Sequence, residues 1–143
     1  MNNKKFDERQ LWIRGNIFQH MLVIIATLVI TNALLIKCDI IWADGFYSNL
    51  IIFFVAIAAG SIEMIFREVY FQSRKQQWLI VLFGLCGLML VILNIIHLIR
   101  GDGFILDGSL TETGGSFIYG ILILSMGISG AIKLLSDKIK KHV

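Results

Sequence analysis

Apolar residues run almost without interruption through four stretches, 17–36, 50–66, 78–99 and 117–135, while charged and polar residues collect in the segments between them. A hydrocarbon core about 30 Å thick is crossed by roughly 20 helical residues rising 1.5 Å each, so each stretch has the length of a transmembrane helix. The pattern predicts an all-α polytopic membrane protein with four transmembrane helices. Residues 1–16 are polar and then amphipathic, with Phe6, Ile13 and Ile17 at helical spacing, and predict a short interfacial helix leading into the first span. Residues 136–143 form a basic tail. The first span exceeds the apolar core of a secretory signal and lacks a small-x-small cleavage site, so it is expected to be retained.

Composition agrees: 57% of residues are hydrophobic, 16% are charged and the mean hydropathy is +0.78, outside the range of water-soluble domains. Charge placement predicts the orientation. Lys4, Lys5, Arg9 and Arg14 precede the first span; Arg67, Arg74 and Lys75 join the second to the third; Lys133, Lys138, Lys140 and Lys141 close the chain. Lys37 and Arg100 alone fall on the other side, where Asp39, Asp44, Asp102, Asp107 and Glu112 make the loops acidic. The positive-inside rule then places both termini in the cytoplasm. Because the basic residues are spread over three juxtamembrane sites, the net charge of +3 points to anionic lipid headgroups and not to nucleic acid. Cys38 and Cys86 lie at different depths, too far apart for an intrachain disulfide, and Cys86 reads as a packing residue.

The connectors carry further signals. Trp42, Phe46 and Tyr47 in the first loop (37–49), and Trp78 after the second (67–77), suit membrane-surface belts. The third loop, 100–116, is rich in Gly and acidic residues; its spacing does not match a calcium loop, and it reads as a solvated connector. Residues 28–32, LVITN, echo residues 90–94, LVILN. Gly60-Ser61-Ile62-Glu63 can likewise be laid over Gly130-Ala131-Ile132-Lys133. A two-plus-two parallel repeat about an axis along the membrane normal accounts for both, as does chance matching of aliphatic runs. Small residues (Ala56 and Gly60, Gly84 and Gly87, Ser116 and Gly120, Ser125 and Ser129, Gly127 and Ala131) mark faces for close helix approach, with the fourth span the richest.

Two polar sets fall within or beside the spans. Glu63, Arg67, Lys133 and His20 could form an inner cluster that binds a substrate or relays protons, or a structural set of ion pairs fixing helix register. Asn32, Asn94 and His97 form a candidate outer set, read first as interhelical hydrogen-bonding groups, since one His and two amides make a poor metal site. The chain has no Pro, and it lacks HExxH, GxSxG and P-loop motifs. No catalytic set, metal or cofactor is expected.

Lys4-Lys5-Phe6-Asp7-Glu8-Arg9-Gln10, followed soon by an apolar span, resembles the K-x-DERQ-type opening of small multi-pass membrane proteins of Gram-positive bacteria. The likeness covers about the first 20 residues and, loosely, 63–70; it implies a bacterial plasma-membrane location and brings no established activity with it. The acidic residues of this segment suit the start of a helix and could dock on the basic second loop. Together these readings predict a non-enzymatic membrane protein acting through contact with another membrane component or through self-association, as an accessory, regulatory or immunity-type subunit. The alternative is a small homo-oligomeric transporter or channel using Glu63 as its inner polar site.

Overall fold

The computed structural model describes residues 7–70 and 78–139. Expectations that fall on 1–6, 71–77 and 140–143, among them most of the basic second loop, lie outside them. Four helices, α1 (Glu8–Lys37), α2 (Gly45–Phe66), α3 (Trp78–Ile99) and α4 (Glu112–Ile139), are each long and apolar enough to cross a membrane. They pack in the order α1, α2, α4, α3. The ends of α2 and α4 and the start of α3 lie at the terminal end of the bundle; the 38–44 and 100–111 connectors lie at its loop end.

α1 is one continuous helix where a separate interfacial helix was expected. Asp7 starts it: its carboxylate accepts from the Gln10 backbone N–H at 2.7 Å, and the Gln10 side chain accepts from the Asp7 N–H at 3.1 Å. This capping box satisfies two of the orphan donors at a helix start, and no breaker follows before the apolar run begins. The D-x-x-Q part of the DERQ segment is therefore a helix start. Its acidic first residue is committed to the cap.

α1, α2 and α3 all stop in the same way. Each ends in a Schellman motif, with paired backbone bonds from the two residues after the cap: Asp39 and Ile40 to Ile36 and Leu35, Glu68 and Val69 to Ile65 and Met64, Gly101 and Asp102 to Leu98 and His97. The motif demands a left-handed residue, found at Asp39 (φ 58°), Glu68 (φ 61°) and Gly101 (φ 105°). Glycine suits that conformation and Asp tolerates it; for Glu it costs roughly 1–2 kcal/mol. Buried Val69 docks on Met64 and Ile17, with Ile13, Met21 and Tyr70 around them, and this apolar knot holds the turn in place.

The tightest seam lies between α3 and α4. A Cβ added at Gly127 would collide with the backbone of Gly84, and one at Gly87 with the backbone of Leu124. Bilayer helices gain no hydrophobic drive toward each other, so close backbone approach is what stabilises such a pair. Span four does make the closest contact, through Gly120, Gly127 and Gly130, all buried. Ala131 is exposed, and Ser125 and Ser129 bond back to carbonyls of their own helix. Cys86 is exposed on α3 and not packed, because the glycine face of that helix is the one turned to α4.

The third loop is more than a solvated connector. It folds into a two-residue hairpin, β1 (Ile105–Leu106) against β2 (Ser109–Leu110), turned by Asp107 and Gly108, both with positive φ. Asp-Gly between apolar residues is a strong hairpin signal. Leu110 N–H donates to Trp42 O at 2.8 Å, and Phe104 stacks on Phe117 with ring centroids 4.7 Å apart, so the hairpin is fastened to both the first loop and α4.

Candidate functional site

The predicted inner cluster divides in two. Gly60 and Glu63 sit one helical turn apart on the face of α2 turned to α1: a Cβ at Gly60 would meet Met21, and Glu63 Oε2 lies 3.1 Å from His20 Nδ1. Arg67 Nη2 approaches the other carboxylate oxygen at 2.8 Å, one turn along the same helix. The Glu63 side chain is 27% exposed. His20, Glu63 and Arg67 are thus a real constellation.

Lys133 does not join them. It lies on α4, three residues after Gly130, which abuts Ile80 of α3, and its ammonium reaches the turn that ends α2 and not Glu63. Its partners are Glu68 at 2.6 Å and Asp137 at 3.1 Å. Although both acids are substantially exposed, the Lys133 side chain is only 17% exposed. The three charged groups stand at the edge of a cavity of about 130 Å³ whose apolar walls are Ile65, Ile80 and Leu134. Asp137 was legible from its i, i+4 spacing to Lys133. Glu68 was not, because nothing in the residues around it announces that the chain turns back there.

The outer set also separates. Asn32 is buried on α1, and its side-chain oxygen accepts from Trp42 Nε1 at 2.7 Å, tying the first loop back onto the helix it leaves. Asn94, buried on α3, donates to Leu90 O at 2.8 Å and to Ser116 Oγ of α4 at 3.2 Å. His97 is exposed and contacts Asp102 at 2.9 Å, at the end of its own helix. Asn94 and His97 do not share a site, since only Asn94 is turned into the α3–α4 seam. The hydrogen-bonding reading fits Asn94, which does link two helices.

An apolar groove of about 220 Å³ runs between α1 and α2 beside the Asn32–Trp42 bond, walled by Leu28, Leu35, Ile52 and Val55. Among the described residues no group of three or more His, Cys, Asp or Glu is placed to hold a metal ion. No protein-family model, curated protein or solved structure matches the chain.

Proposed function

We propose that this is a non-enzymatic membrane protein that works by contact with another membrane component, and that α1 supplies the contact. The observation that carries this reading is the contrast in cover along the bundle. Over its 30 residues α1 buries only Ile17 and Asn32, whereas nine residues of the 22-residue α2 are buried. Leu22, Val23, Val29, Ile30 and Leu34 remain exposed on α1. A partner helix, from another protein or from a second copy, would sit there in place of lipid. The charge distribution supports cytoplasmic termini, and the DERQ-type opening supports a bacterial plasma membrane.

A photo-crosslinking residue at Ile30 in native membranes should give a discrete adduct, while one at Leu85, exposed on α3, should give none. Adducts from both positions or from neither would remove α1 as the contact face.

A second reading is a small homo-oligomeric transporter or channel. The half-buried Glu63, held by His20 and Arg67 at the edge of an apolar span, supports it. Glu63→Gln should then abolish proton-coupled flux in proteoliposomes; unchanged flux, or none in the native protein, would leave Glu63 as a structural ion pair.

We also infer a parallel repeat of the two halves. Its support is that Gly60 abuts α1 as Gly130 abuts α3, and that the Glu63–Arg67 pair recurs at the equivalent place of α4 with its charges exchanged, as Lys133–Asp137.

A further inference from the structure

We propose that the uncovered face of α1 pairs with α1 of a second copy of this chain, in parallel, about a twofold axis along the membrane normal. The inference rests on α1 as the contact face and names what covers it. Ile17 packs on Met64 and Val69, while His20 and Met21 meet Glu63 and Gly60, so that side of α1 is turned to α2. Val23, Ala26, Ile30 and Ala33 fall on the opposite side at 3.6 residues per turn, and all four are exposed. They recur at intervals of three, four and three residues, the spacing at which two parallel helices mesh along a left-handed seam. Small Ala26 and Ala33, alternating with β-branched Val23 and Ile30, let the two backbones approach closely.

Lipid can cover the same face, and the charges at its end decide between the two. Lys37 continues the stripe four residues beyond Ala33, in the last turn of α1. Asp39 follows it in the left-handed position of the turn. Both are exposed, and neither forms an ion pair among the described residues, which include every residue of both connectors at this end. Within one chain the two do not face each other, because residues two apart point to different sides. Across a twofold axis each Lys37 can take the Asp39 of the other copy, and the pair is made twice. Two Lys37 side chains beside one axis would otherwise repel, so the carboxylates also remove a like-charge contact.

The direction follows from the same charges. Two copies inserted the same way hold Lys37 and Asp39 at one level. An antiparallel pair would set them apart by the length of α1, 30 residues or roughly 45 Å. A helix of another protein would have to bring both a seam and a cation at the right level; a second copy already carries them.

The test mixes donor- and acceptor-labelled copies of the full-length protein in phosphatidylcholine liposomes and reads pairing by energy transfer. Transfer should persist as the protein is diluted in lipid. Single cysteines in a Cys38→Ser, Cys86→Ser background locate the face: on oxidation, Ala26→Cys and Ala33→Cys should give about fivefold more disulfide dimer than Val29→Cys and Thr31→Cys on the flanks. Lys37→Gln and Asp39→Asn, the latter keeping a residue that tolerates the turn, should each weaken pairing about fivefold, and the double variant no further. Monomers at every dilution, crosslinks strongest on the flanks, or losses that add in the double variant overturn the proposal. Monomers together with a discrete Ile30 adduct in native membranes would leave α1 as the contact face for a different protein, whereas the absence of both would remove that reading as well.

Discussion

The two hairpins of this bundle use glycine for opposite ends. Between α3 and α4, Gly87 and Gly127 let backbone meet backbone, so nothing at the contact can swing aside. Between α1 and α2, Gly60 faces the thioether of Met21, a flexible side chain with other places to go. One half is a fixed seam and the other an adjustable one. A small residue in a membrane span therefore reveals its role only through what stands opposite it.

The sharpest way to break this comparison is to add one methyl group to each seam. Gly127→Ala should lower stability by about 2 kcal/mol, the overpacking penalty partly offset by the better helix propensity of Ala. Gly60→Ala should be near neutral, because Met21 can rearrange while the propensity gain remains. Thermal midpoints in one detergent, read by near-ultraviolet circular dichroism, decide it. Equal losses would mean the two seams are equally rigid.

A smaller effect tests whether polar bonds reinforce the fixed seam. Asn94→Leu should cost about 1 kcal/mol, and in a double-mutant cycle with Ser116→Ala the two losses should fail to add. Full additivity would show that the 3.2 Å contact carries no energy of its own. The smallest effect probes the likeness between the hairpins. Glu63→Lys alone should destabilise by about 0.5 kcal/mol, by placing like charges one turn apart, and adding Arg67→Asp should restore the loss. Without recovery in the pair, the exchanged charges of α4 would be coincidence.

The architecture was legible because hydropathy and length alone determine which segments can cross a bilayer. The helix ends were less so: α1 begins at Glu8 because of the Asp7–Gln10 cap, and α4 begins at Glu112 because Thr111 Oγ1 accepts from Gly114 N–H at 3.1 Å. Both signals are short polar patterns that an apolar window does not register. The Asp107-Gly108 turn could have been recognised as a hairpin and was hidden by the loop's many other glycines. For the polar groups, position along the helix was readable and azimuth was not. Glu63 and Lys133 each lie near the end of a span, yet they meet different neighbours, His20 on α1 and Glu68 beyond α2, and the order α1, α2, α4, α3 is not written in any one segment. Glu68 lay beyond sequence reasoning for a related reason: its importance comes from a left-handed backbone that the residue type argues against.

The β1–β2 hairpin also governs how the molecule can deform. Through Trp42 it is linked to α1 and the first loop, and through Phe104 to α4, so three segments are clamped together at one extremity. Loss of the Trp42 tie or of the Phe104 stack would therefore release one of these segments while leaving the glycine contacts between α3 and α4 in place.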